Sequence, residues 1–593
     1  MRGPARILRL QYSEELDQVR QELCATTGAS EVSRQALCRM HEAEFRRAFV
    51  DLMASLNEQH RALTWTLMPF TSKNPLTSDL CRNAFYTVLI ARLLAQQPQT
   101  LWVLTHSTAL ASQVVAWGAA NGVTVVRGVG GASTPWRVLK RCSPAAIVLA
   151  CIRTVLAAAL ARALRPGGGR ERSVLVVMTT MPQSSVGPAG YRDAYFAPLT
   201  AHLARSGERA MTFALVFSRT IATIWRLRRA EGTHPVVPVE ACLTVSDIAK
   251  CVALSLRQWA TRPRLDSPAV VCGVDVRPLL QSAIDDTYQS GGFFRHYAAY
   301  LAARNLTARC AVTGWIYPFE NRALERAVLL GARDADRHTR LIGCQNAALT
   351  PSHLNFMLGR SEAAAVPLPD AIFTTGDPVR EWLVAHGNFP SGLVRVGCAF
   401  RQGQARDAAE PVRSHTLRRV LVVLASGIEE YVEMLAFVAD AFCGSGPEEL
   451  RFRPHPEFPF AAAERLVPAS RGIRYDVSTG SLQDDLRWAD VVVYASSTVS
   501  MEAVARGIPV IHADVGHALN ADPLADRTGG LRWAVARPAD VLPCLRAINS
   551  LSDAEYRQRA LADRDYVDRY FLVPDEDRIR TLLEAVRCRT SQP

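Results

Sequence analysis

Apolar positions along this chain recur first at helical spacing and then in short strand-like runs. Residues 39–59 place Phe45, Phe49, Leu52, Met53 and Leu56 on one stripe, which predicts an amphipathic helix. From Trp65 onward, apolar runs alternate with helical stretches. Residues 63–70 read as a strand, 71–76 as a loop and 79–94 as a helix. A second strand, 101–104, is followed by His106-Ser107 and a helix over 109–119, and 123–126 reads as a third strand. Runs at 173–178, 211–217, 310–313, 341–343, 371–374 and 393–396 continue the pattern. Such alternation predicts a parallel sheet with helices on both faces.

Residues 402–414 are polar, contain Gly403 and Pro411 and lack an apolar run, as a linker would. A second α/β unit opens with the strand 419–424, turns through Ala425-Ser426-Gly427 and enters a helix over 428–442. Its later strands are 450–452, 491–494 and 510–511, and the tail 552–588 is helical and charged. The predicted division is a helical N-terminal extension (1–60), a first Rossmann-like unit (61–401) with an insert at 128–170, the linker, a second Rossmann-like unit (415–550) and C-terminal helices (551–593).

Two features of the second unit suggest a ligand. The strand 450–452 runs into Arg453-Pro454-His455-Pro456, and 491–494 runs into Ser496-Ser497-Thr498 and a short helix ending at Gly507. A helix N-terminus with free N–H groups and small hydroxyls can hold a phosphate. Parallel strands deliver both loops to one crevice, so an imidazole and a phosphate-binding helix end are expected to meet there.

Charge adds a further element. The formal net charge is +12, and lysine occurs only at positions 73, 140 and 250. Between Asp79 and Glu171 there is no acid but ten basic residues, so this interval supplies +10. Inside it, 142–161 is apolar apart from Arg153, flanked by Arg137, Lys140 and Arg141 and by Arg162, Arg165 and Arg170. The length fits a bilayer span, but a central arginine costs about 3 kcal/mol on insertion scales, and basic flanks on both sides give no orientation. A helix lying on an anionic membrane surface is favoured over a core helix and over a span. The 14 cysteines form no C-x-x-C pair, which argues against zinc knuckles and redox motifs and fits a cytoplasmic chain, peripheral on the inner membrane face. No groove-reading motif or aromatic-interleaved basic run accompanies the charge, so nucleic acid is not an expected partner.

The paired motifs His455-Pro456 and Ser496-Ser497-Thr498, in two α/β halves, resemble those of bacterial sialyl- and Kdo-type transferases that use CMP-activated sugars. The stretches 190–207, 314–327 and 368–387 are similar to bacterial surface-carbohydrate (capsule-type) biosynthesis proteins, and the layout is also similar to CDP-glycerol glycerophosphotransferases. The resemblance spans roughly residues 65–540 and departs at Gly343-Cys344-Gln345-Asn346, where a histidine is expected. It implies an α/β fold of GT-B type, two Rossmann-like domains facing a cleft. It implies a glycosyltransferase moving a sugar from a nucleotide donor, CMP-linked, to a surface polysaccharide or glycolipid acceptor. A CDP-glycerol-type polyol-phosphate transferase and a non-catalytic membrane-associated subunit of an assembly complex are the alternatives.

Within that reading the donor lies on the second unit. His455 binds the donor phosphate or steadies the departing nucleotide, helped by Arg453, Ser426, Gly427, Ser496, Ser497 and Thr498. Glu502 either accepts ribose hydroxyls or serves as an acid near the helix's positive end. On the acceptor side, Glu320 follows Trp315-Ile316-Tyr317-Pro318-Phe319, apolar surroundings that would raise a carboxyl pKa and suit general-base work. Glu325 is the weaker candidate. Lys73, Asn74, His106 and Asp193 sit on loops placed to meet an acceptor. No His/Cys cluster suggests a metal, so neither metal nor other cofactor is expected.

Overall fold

The computed structural model describes residues 5–96, 100–128, 143–164, 174–181, 185–187, 190–216, 219–229, 235–289, 291–401, 413, 417–425, 427–444, 446–456, 458–467 and 472–587. Near the N-terminus, β1 (Arg6–Arg9) pairs in parallel with β2 (Ser30–Glu31) and β3 (Leu101–Leu104) in a small sheet. The next strand, β4 (Val174–Met181), starts the main sheet of the first unit, and β5 (Val186–Gly187) with β6 (Gly190–Tyr191) forms a hairpin beside it. The main sheet continues with β7 (Ala210–Val216) and β8 (Val236–Pro238); β9 (Val270–Val271) and β10 (Val274–Asp275) make a second hairpin. It is completed by β11 (Val312–Pro318), β12 (Arg340–Cys344), β13 (Ala371–Thr374) and β14 (Val394–Val396).

This seven-stranded sheet is parallel throughout, in the order β14-β13-β12-β11-β4-β7-β8. The second unit holds β15 (Arg419–Val423), β16 (Glu449–Arg453), β17 (Asp476–Val477), β18 (Val491–Tyr494), β19 (Val510–Ala513) and β20 (Arg532–Val535), in the order β17-β16-β15-β18-β19-β20. Counted by appearance, both sheets run 3-2-1-4-5-6, with a seventh strand added to the first. This is the Rossmann-like order, and its direction reverses between strands 1 and 4, where loops part and leave a crevice at the strand C-termini. Those switch points lie between β4 and β11 and between β15 and β18.

The strands that flank the second switch point are apolar on both faces: Val420–Val423 and Val491–Tyr494 are buried throughout. Parallel sheets covered on both sides require this. The two units are tied in two places. The helix Arg34–Gln59, about 39 Å long at 1.5 Å per residue, meets the second unit at its start and the first at its end. Gln35 and Arg39 bond Asp514, while Asn57 bonds Glu362. The helix Glu576–Arg587 returns to the first sheet, packing Ile579, Leu582 and Leu583 on Leu175, Ile316 and Ile342. Near the end of the preceding helix, Asp553–Tyr570, Gly376 lies so close that a Cβ would stand 1.9 Å from the Arg569 carbonyl oxygen.

Several expectations need correction. Residues 63–70 form no strand; they fold as the helix Leu63–Thr66 and the tight turn Pro69–Ser72. Trp65 and Phe70 fill the core from that turn, meeting edge to face with ring centroids 5.4 Å apart. A short buried apolar run does not separate helix from strand by its period. Residues 123–126 stay outside any sheet, and Val126 is exposed. β3 joins β1 rather than the main sheet, so the N-terminal extension supplies strands as well as helices. Of 402–414 only Arg413 is described; it pairs with Asp553 on the helix Asp553–Tyr570.

Candidate functional site

In the second unit, strand register places the predicted loops. Val423 is paired with Arg453 on one side and with Tyr494 on the other. The loops that carry His455 and Ser496 are thus two strand spacings apart, about 10 Å, on the same edge. The turn after β15 lies between them. Ser426 lies outside the described residues, but Gly427 is seen as the N-cap of the helix Ile428–Ala441, at φ +104°.

One carboxylate organises this edge. Glu430, buried in the first turn of Ile428–Ala441, accepts from the Ala425 N–H (2.7 Å) and the Ser496 hydroxyl (2.6 Å). His517 Nε2 lies 2.6 Å from Oε2, the oxygen that the Ser496 hydroxyl also reaches. Burial alone would raise this carboxyl, but the hydrogen bond and charge of His517, with Ser496 and the Ala425 amide, hold it below the ordinary range. Ser496 and Glu430 therefore clasp the switch point between β15 and β18. The loop carrying His517 turns at Gly516, whose φ is +81° and where a Cβ would meet the Glu430 Cα at 2.8 Å. Its N–H donates to Glu433 (2.7 Å), which also accepts from Tyr12 (2.7 Å) and pairs with Arg34.

The three predicted hydroxyls have different environments. Ser496 bonds Glu430; Ser497 is buried and accepts weakly from the Val499 N–H (3.3 Å). Thr498, the N-cap of the helix Val499–Ala505, is exposed and makes no capping bond with its side chain. His455 is exposed, its backbone N–H donating to the Tyr431 hydroxyl (2.6 Å). Glu502 stands half-buried in Val499–Ala505. Acids occupy the first turn of both helices at this edge: Glu429 and Glu430 in Ile428–Ala441, and Glu502 in Val499–Ala505. Arg453 is engaged elsewhere: it pairs with Asp485 and donates to the Gly480 carbonyl (3.0 Å).

The first unit's switch point holds Glu320, just after β11. Its side chain pairs with Arg322 and is 17% exposed, so it remains reachable. Its backbone N–H donates to Glu325 Oε2 (2.9 Å), as does that of Arg322 (3.2 Å). Glu325 is the more perturbed acid: burial first, and the neighbouring Glu320 charge, push it up to about 8. The Glu325 carboxyl faces the interior rather than solvent.

The loop after β12 lies alongside, with Asn355 donating to the Glu320 carbonyl (2.8 Å) and Asn321 to the Asn355 carbonyl (2.8 Å). It carries His353, whose Nδ1 accepts from the Thr350 N–H (3.0 Å). Burial and the Arg322 cation lower this imidazole to about 4, so it is neutral at physiological pH. A small cleft is walled by Arg153, Thr154, Val216, Glu240, Arg295 and Leu324. Burial raises the Glu240 carboxyl, against the lowering pull of Arg153 and Arg295.

Three of the remaining acceptor-side candidates are buried and already partnered. Lys73 is fully buried in an ion pair with Glu362 (2.5 Å), which also accepts from Asn57 (2.7 Å). Asn74 is buried and holds its own turn by accepting from the Leu76 N–H (2.8 Å). Asp193 is buried, accepting from the Tyr191 hydroxyl (2.7 Å) and the Tyr195 and Phe196 N–H groups (2.8 Å each). His106 is exposed at the end of β3, 2.7 Å from the Ser13 hydroxyl, on the small sheet rather than the first unit's switch point. Sequence reasoning missed Glu430, His517 and His353. Glu430 alone left a signal, an acid three residues after a strand–glycine turn; the other two sit in loops without periodicity. Among the described residues no group of three or more His, Cys, Asp or Glu stands together as a metal set.

No protein-family model and no curated protein matches the chain. Among solved structures, it is similar to the calicheamicin glycosyltransferase CalG4, at 15% identity over 70% of this chain and 98% of that one, with a TM-score of 0.38. It is similar to the lipopolysaccharide outer core galactosyltransferase WaaB at 10% identity over 70% and 99%, with a TM-score of 0.40. It is similar to MurG of Acinetobacter baumannii at 10% identity over 70% and 99%, with a TM-score of 0.38. At these values the likeness adds nothing to what the strand order of the two sheets establishes.

Proposed function

We propose that the chain transfers a sugar from a nucleotide donor, CMP-linked, to a hydroxyl of a saccharide or glycolipid acceptor. The observation that carries this reading is the second unit's switch point. There His455, Gly427 and Thr498 follow three adjacent strand ends on one edge, two strand spacings across. The His455 imidazole and the Thr498 hydroxyl would take the donor phosphate and answer the charge that grows as the glycosidic bond breaks. Glu502 would reach the ribose. Across the cleft, Glu320 would accept the acceptor's proton, with Arg322 orienting its carboxylate. The CMP preference rests on the His455-Pro456 and Ser496-Ser497-Thr498 pairing noted in the sequence. These assignments give the charge-stabilising work to protein groups.

A thermal-shift screen of the full chain with CMP, CDP, UDP and GDP tests the reading. Binding to the folded state raises the melting temperature, so CMP is expected to produce the largest shift. A larger shift with UDP or GDP would redirect the donor class, turnover of CDP-glycerol would favour polyol-phosphate transfer, and no shift with any nucleotide would reject the enzyme reading.

A further inference from the structure

We propose that the helix Ser143–Ala161, together with its neighbour Thr220–Arg229, docks the protein flat on an anionic lipid bilayer. The first helix has one face built into the protein, where Ile147, Thr154, Ala157, Ala158 and Ala161 are buried. It packs there against Thr220–Arg229 and Val245–Ala260. The opposite face carries Val148, Leu149, Ile152, Val155 and Leu156 at helical spacing, exposed by 47–65%. A core helix would hide these residues, and a soluble surface helix would place polar groups there. The segment Ala145–Leu164 has a mean hydropathy of 2.0, yet only 28% of it is buried. A span is opposed by the other side of the same helix, which is sealed against protein, and by Arg153, which stands exposed midway along it.

The second helix extends the surface. Ile221 and Trp225, one turn apart, are exposed by 42% and 45%. The Arg229 guanidinium lies 4.3 Å above the Trp225 ring, and Arg226 and Arg228 share the last turn. An amphipathic ring beside arginines is the side-chain pairing that sits at a headgroup layer. Neither helix contains an acid, and Arg153 and Arg162 add to the charge on the first. This charge selects the occupant. A second copy of the chain would bring the same arginines face to face, whereas anionic headgroups neutralise them. The inference stands independently of glycosyl transfer.

Cosedimentation with vesicles tests it, using the full chain and vesicles of three parts phosphatidylcholine to one part phosphatidylglycerol. Binding is expected to these vesicles and to weaken with salt and on pure phosphatidylcholine. The triple variant Leu149→Gln, Ile152→Gln, Leu156→Gln should lose at least about tenfold in partitioning. Arg226→Gln, Arg228→Gln and Arg229→Gln together should lose about tenfold or more and flatten the salt dependence. All these side chains are exposed, so unchanged melting curves and unchanged nucleotide-induced shifts without lipid confirm folding. Wild-type protein that stays in the supernatant, or variants that bind as wild type does, would overturn the proposal. So would a dimer in sedimentation velocity that the apolar substitutions disperse, with no vesicle binding.

Discussion

Two glutamates sit on opposite sides of the switch points of the two units, after strand 4 in the first and strand 1 in the second, and are held in opposite protonation states. Glu430 and Glu325 each lie three residues into the helix that follows a switch-point strand, and each reaches back to backbone N–H groups of the loop before it. Burial pushes both upward. Glu430 has His517 and Ser496 as further donors, and they keep it ionised. Glu325 has the like-charged Glu320 as its neighbour and rises to about 8. Partners, not burial, decide which acid keeps its charge. The second crevice thereby gains a fixed carboxylate–imidazole pair beneath its mouth. The first gains a neutral acid that shapes the loop holding Glu320.

The largest expected effect tests the functional side of this contrast. Glu320→Gln should lower the transfer rate by at least about 100-fold, as loss of a general base does, while leaving nucleotide-induced stabilisation intact. Equal rates for variant and parent would remove Glu320 from the reaction. Next comes His517→Ala, which leaves the Glu430 carboxylate buried without its imidazole partner and should cost about 3 kcal/mol in urea unfolding. A neutral result would mean that water replaces the imidazole.

The pH dependence of stability separates the two acids. Glu325 has a folded pKa of about 8 against an ordinary 4.5, so its contribution is fully present below 4.5 and is lost as pH rises toward 8. Glu430 is shifted the other way, so its contribution is present above 4.5 and is lost on acidification. Glu325→Gln should flatten the decline between pH 4.5 and 8, and Glu430→Gln should remove part of the acid-side loss. An unchanged alkaline limb in the Glu325 variant would refute the assignment. The smallest effect is Ser496→Ala, expected to cost about 1 kcal/mol for one hydrogen bond to a carboxylate that keeps its other donors.

The strands around the second switch point were legible because their signal is strong: Val420–Val423 and Val491–Tyr494 are uninterrupted apolar runs followed by turn residues. His455 and Ser496 could therefore be placed on one edge from sequence, though not the intervening β15, because strand order follows from tertiary pairing. The run 63–70 misled because its apolar residues serve a helix and a tight turn. The acceptor-side candidates failed for a different reason. Lys73 and Asp193 are chemically suited to a ligand, but Glu362 and the amides of Tyr195 and Phe196 already satisfy them. Such partners lie 289 residues away in one case and two or three in the other, and sequence spacing does not announce the distant one. The apolar segment around Arg153 was legible as a helix, whereas Trp225 and its arginines beside it were not, since only the packing of two helices brings them there.

The central claim is that the second unit's switch point holds a nucleotide phosphate. A crystal structure of the full chain with the nucleotide that gives the largest thermal shift tests it most directly. The account predicts the phosphate within hydrogen-bond reach of the His455 ring and the Thr498 hydroxyl, above the Glu430–Ser496 clasp. A phosphate bound anywhere else on the chain, with that edge empty, would contradict it.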